Sequence, residues 1–115
     1  AVIIPGLVVG GGPVRVLVRA VGPGLVPFGV NGVLARPTMT LFSGQSPMVS
    51  NSSWEAGGLA GDMAAAAAAV GAFPLAAGSP DCAMLVRLQP GIYTVQVGGA
   101  DGGTGQALVE IYLLD

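Results

Sequence analysis

Apolar and polar residues alternate in short runs along this chain, and glycine and proline cut the runs into even pieces. The first run, Ala1 to Val9, reads as a strand bent or interrupted at Pro5-Gly6. Gly10-Gly11-Gly12-Pro13 then turns the chain into a second strand, Val14 to Ala20. Gly22-Pro23-Gly24 opens an irregular stretch that continues through Phe28-Gly29 and Asn31-Gly32. A third strand, Thr38 to Phe42, turns at Ser43-Gly44-Gln45 into a fourth that runs through Pro47 to Ser50. Ala83 to Gln89, Ile92 to Val97 and Ala107 to Leu114 complete a set of seven, with turns at Gln89-Pro90-Gly91 and Gly98 to Gly105.

Between the fourth and fifth strands lies Leu59 to Phe73, with the alanine run Ala64 to Ala69. Alanine has the highest helix propensity, Asp62 suits a first turn, and Gly71 with Pro74 supplies a stop. The pattern therefore predicts a single all-β domain over residues 1–115. Its expected form is an immunoglobulin-like or jelly-roll-type antiparallel β-sandwich of about seven strands with one short Ala-rich helix.

Alternation also assigns faces. Tyr93, Val95 and Val97 share one face against Ile92, Thr94 and Gln96; the valines of Val14 to Ala20 oppose Arg15, Leu17 and Arg19. In the last strand Ala107, Val109, Ile111 and Leu113 oppose Leu108, Glu110, Tyr112 and Leu114. Strands and a helix that are apolar on both sides expect cover on both sides. For the helix, either a loop of the same chain or a neighbouring subunit supplies it.

Charge sharpens this picture. Only 9% of the 115 residues are charged, against about 25% in ordinary globular chains. There is no lysine: the positive charges are Arg15, Arg19, Arg36 and Arg87, and the acids are Glu55, Asp62, Asp81, Asp101, Glu110 and Asp115. This excludes a basic nucleic-acid face and a polybasic membrane patch. Membrane insertion is not expected either, because no run of about 20 apolar residues is free of glycine, proline or charge. So weakly charged a surface favours association. Ala1 opens directly into an apolar strand without a basic leader, so the chain reads as mature or as a segment of something longer.

Little chemistry is on offer. The absence of histidine removes His-based triads, ordinary zinc sites and the usual general base. No serine sits in a nucleophile elbow, no glycine cluster spells a phosphate or dinucleotide loop, and the acids are too scattered for a local calcium loop. No catalytic residue, cofactor or metal is expected. Cys82, the single cysteine, reads as a small buried hydrophobe, with an intermolecular bridge as the alternative. Asn51-Ser52-Ser53 matches a glycosylation sequon. The adjacent Trp54 reads as core or interface, or as a sugar-stacking platform.

From Arg19-Ala20-Val21-Gly22-Pro23-Gly24-Leu25 onward the sequence resembles a repeat domain of large secreted bacterial surface proteins. The likeness continues through Phe28-Gly29-Val30-Asn31-Gly32-Val33-Leu34-Ala35-Arg36-Pro37 and Ser50-Asn51-Ser52-Ser53-Trp54. It ends with Pro90-Gly91-Ile92-Tyr93-Thr94-Val95-Gln96-Val97 and Gly103-Thr104-Gly105-Gln106-Ala107-Leu108-Val109-Glu110-Ile111-Tyr112. The chain is also distantly similar to bacterial pre-peptidase C-terminal domains, some of which bind calcium. Arg36, Ser43, Ser52 and Ser53 stand where the resemblance would place acids, which argues against calcium here. The resemblance implies an extracellular β-sandwich used as a repeated surface module.

The expected function is that of a non-catalytic structural subunit of an extracellular filament or surface layer, whose partner is itself. Candidate assembly residues are Ala1, Val2, Ile3, Ile4, Leu7, Val8 and Val9 of the first strand and Ala64, Ala65 and Ala68 of the helix. The first strand either adds to a neighbour's sheet or pairs within its own. Arg15 and Arg19 are expected to pair with acids such as Glu110, at least one of them away from water. The alternative is a carbohydrate- or cell-binding adhesion module using Trp54, Tyr93 and Tyr112.

Overall fold

In the computed structural model, which describes residues 3 to 114, the apolar runs become strands, and in β2 and β6 the faces that alternation assigns are the ones that pack on the core. The strands are β1 (Gly6–Val9), β2 (Val14–Val21), β3 (Pro37–Ser43), β4 (Ser46–Asn51), β5 (Cys82–Leu88), β6 (Gly91–Gly99) and β7 (Leu108–Leu114), with helix α1 (Ala60–Val70) between β4 and β5. They form an all-β sandwich of two antiparallel sheets, ordered β1-β6-β3-β4 and β5-β2-β7. In an immunoglobulin constant domain the first, second, fourth and fifth strands share a sheet. Here β3–β4 is the one pair of consecutive strands bonded in a sheet, and every other connection changes sheets.

Val16, Val18 and Ala20 of β2, Met39 and Leu41 of β3, Cys82, Met84 and Leu88 of β5, and Tyr93, Val95 and Val97 of β6 fill the space between the sheets. The Tyr93 hydroxyl donates to the Gln89 carbonyl at 2.5 Å, a tyrosine-corner contact that ties β6 to the turn before it. Pro47 sits in β4, an edge strand where a missing N–H costs least.

The first strand is interrupted where the sequence suggests, and for a bonding reason. Ile3 and Val97 exchange backbone bonds of 3.0 and 2.9 Å, and Pro5 accepts from Val95 N–H at 3.0 Å but has no N–H to return. The ladder resumes at Gly6 opposite Thr94. Residues 3 to 9 therefore pair within their own sheet, along β6. Ala1 and Val2 lie outside the described residues. Leu7 and Val9, expected among the assembly residues, turn inward onto the core, Val9 fully buried. Alternation leaves Val8 outside, with Ile3 and Ile4 also exposed.

Helix α1 lies on the outer face of β5-β2-β7. Met63, Ala66, Ala67 and Val70 recur at helical spacing and meet Leu17, Leu85, Tyr112, Leu114, Trp54 and Ala83. Gly71 ends the helix in a left-handed conformation at φ 76°, its N–H bonded to the Ala68 carbonyl. β2 is thus buried on both faces from Val16 to Val21. The outer face of α1 is not: Ala64, Ala65 and Ala68 are exposed, and no described loop covers them.

Candidate assembly surface and buried polar sites

The sheet β1-β6-β3-β4 contains no charged residue in any of its strands. Its outward positions include Val8 and Ile92, exposed to 75% and 68% and directly paired in register. Thr94 and Gln96 follow on β6, with Phe42 and Thr40 opposite them on β3. Both edge strands, β1 and β4, have one unpaired side, and neither carries a charge; β4 is blunted in part by Pro47 and a register shift against β3, whereas β1 has no such device within it. Met48 and Val49 add exposed apolar surface on β4. Charge is confined to the other sheet, α1 and the loops.

On the opposite face, the β2–β7 register sets Arg19 directly across from Glu110. Arg19 is 1% exposed, and its Nε lies 3.0 Å from Glu110 Oε1. That approach is off the N–H direction, so it is a charge contact rather than an aligned hydrogen bond, and Nη2 has no partner. Nη1 donates to the Phe73 carbonyl at 2.7 Å, and the guanidinium lies over the Phe73 ring at 4.5 Å. Phe73 in turn stacks against Phe28. The Tyr112 hydroxyl donates to Glu110 Oε2, which holds the Tyr112 phenol above its ordinary pKa. One ion pair thereby fastens the segment after α1 to two strands.

The pairing expected of Arg15 with Glu110 is not made. Arg15 is exposed and sits opposite Leu114 and Arg87, because the register gives Glu110 to Arg19, two periods of alternation further along the strand. The Arg36–Asp101 contact at 2.7 Å is an exposed surface pair, the kind worth about 0–1 kcal/mol.

A second buried charge carries no recognisable sequence motif. Asp81 is fully buried. Its Oδ1 accepts from Gly22 N–H at 2.7 Å and Gly24 N–H at 3.2 Å, while Ser79 Oγ donates to Oδ2. The carboxylate thus pins the start of the 3-10 turn Pro23–Phe28. Gly22 is required there: a Cβ would lie 2.0 Å from the Leu34 carbonyl oxygen.

Neighbouring groups are committed to structure. Cys82 is buried and its single S–H proton faces the Pro37 and Asn51 carbonyls, 3.1 and 3.3 Å from the sulfur, out of reach of a second chain's cysteine. Burial, then the Asp81 charge, pushes its pKa from 9.0 to about 12. The folded state therefore keeps the neutral thiol while the unfolded chain ionises. Stability from this group is complete below pH 9.0 and is lost as the pH rises toward about 12. A thiol reagent at pH 8 is expected to label Cys82 only after denaturant is added, and labelling of the native domain would contradict its burial. Asn51 donates to the Ser53 carbonyl and accepts from Ala83 N–H, so its carboxamide is engaged on both sides. Trp54 is buried, with Nε1 donating to the Ala76 carbonyl, and packs with Met63 and Ala83 rather than standing on the surface.

An apolar cavity of about 220 Å³ lies between α1 and the sheet, lined by Leu17, Trp54, Met63, Ala67, Leu75 and Ala83 among others. Among the described residues no three acids, cysteines or histidines converge, and no helix is long and apolar enough to cross a membrane. Comparison with protein-family models, curated proteins and solved structures returns no match.

Proposed function

We propose that the domain is a non-catalytic structural subunit of an extracellular filament or surface layer, whose copies associate through the uncharged sheet and the outer face of α1. One observation carries the reading: a four-stranded sheet with two open edges and no charge in any strand. An isolated domain gains nothing from leaving such a sheet in water, and edges of this kind favour pairing with another chain. The exposed alanines of α1 offer a flat second contact without side-chain entropy to lose. The extracellular setting rests on the resemblance to secreted surface repeats. A carbohydrate-binding role has less to draw on, since Trp54 and Tyr93 are buried and the Tyr112 hydroxyl is tied to Glu110.

If the first strand is exchanged between copies, it would repeat the β1–β6 register across chains. Electron microscopy of the concentrated domain is expected to show regular polymers or sheets. Uniform single particles at every concentration would sink the proposal.

A further inference from the structure

The strand registers fix where the chain enters and leaves the sandwich. Ile3 pairs with Val97, at the end of the domain where Pro37 lies opposite Gly99 and Cys82 Sγ meets the Pro37 carbonyl. Val9 lies opposite Gly91 at the other end. Four residues link Val9 to Val14, and two link Leu88 to Gly91, so the start of β2 and the finish of β5 are at that second end as well. Leu114 pairs with Arg15 there. The described chain therefore enters at one pole and leaves at the opposite one, in a molecule 40 Å in its longest extent.

The two terminal strands are also held in a particular way. β1 is bonded to β6 alone and β7 to β2 alone, both antiparallel, and both run from the entry pole toward the exit pole. Backbone bonds in an antiparallel ladder lie perpendicular to the strands. A pull outward on both ends therefore slides β1 along β6 and β7 along β2. It loads every bond of each ladder together instead of opening them one by one. The β7 ladder extends over seven paired positions, Arg15 to Val21, and the Arg19–Glu110 contact lies inside it. β1 is the shorter clamp, and Pro5 withholds one bond from it.

We infer that the domain is a load-bearing link, built to resist tension applied along the line from its first strand to its last. This deepens the structural reading proposed above but is a property of one domain, independent of whether copies associate.

Single-molecule force spectroscopy of the whole chain at high dilution tests it. In one geometry handles are fixed to the two chain ends. In the other, the handle at the start of the chain is moved to Gln45→Cys, in the β3–β4 turn at the exit pole, so that the pull no longer runs from pole to pole. The end-to-end unfolding force is expected to exceed the second by about twofold or more at the same loading rate, because many bonds are loaded at once. Pro5→Val, which returns an N–H to the β1 ladder, is expected to raise the end-to-end force and leave the other unchanged. Equal forces in the two geometries, or a higher force in the second, would overturn the inference while leaving self-association untouched. A domain that shows the expected force difference yet stays single at every concentration would contradict the assembly proposal alone.

Discussion

Arg19→Ala is expected to destabilise the domain by about 3–5 kcal/mol, the loss seen when one partner of a buried ion pair is removed. The substitution leaves Glu110 charged and largely enclosed, its side chain 14% exposed. It also removes the Nη1 bond to the Phe73 carbonyl and the guanidinium over the Phe73 ring. The segment after α1 should loosen first, because that contact holds it to β2. Replacing Arg19 by Met together with Glu110 by Leu is expected to recover most of the loss, since neither charge of the pair is then left buried alone. Urea unfolding of the three proteins measures both effects. A cost below about 1 kcal/mol for Arg19→Ala would place the pair with exposed ones.

The second large effect is expected at Asp81. Asp81→Ala strips Gly22 N–H and Gly24 N–H of their acceptor, and Gly22 N–H is fully enclosed. Each buried donor left unsatisfied costs about 1–3 kcal/mol. The turn Pro23–Phe28 cannot shift to compensate, because Gly22 already lies against the Leu34 backbone. Asp81→Asn keeps an acceptor oxygen for the two amides and is expected to lose less. Denaturant midpoints for the two variants decide the matter. Equal losses would mean that the charge, rather than the acceptor, is what matters.

The strands were legible because alternation and turn residues point the same way at nearly every boundary. β2 illustrates how far that goes. Its alternation puts Arg15 and Arg19 on one face, but which of them meets Glu110 depends on register, and register follows from loop lengths and packing across strands. Asp81 was invisible as a site for a related reason: its partners Gly22 and Gly24 lie 59 and 57 residues away, and no local spacing marks such a contact. Val8 and Val9 are identical residue types side by side, and only the pairing with β6 decides that one is outside and the other in the core. For α1 the alanine run predicts the helix but leaves its buried face open, since Ala64 and Ala67 look the same in sequence. Trp54 admits a core or a sugar-binding role until the packing around Met63 and Ala83 is seen.

Sedimentation velocity over a range of concentrations, for the native domain beside Val8→Lys/Ile92→Lys, tests self-association through the uncharged sheet most directly. Both side chains are outward and exposed, so the fold should be kept at a cost of about 1 kcal/mol from the two facing lysines, which thermal unfolding checks. The account predicts that the native domain sediments as growing species with rising concentration and that the doubly charged variant stays monomeric. A native domain that remains a monomer throughout, or a variant that associates as readily, would contradict it.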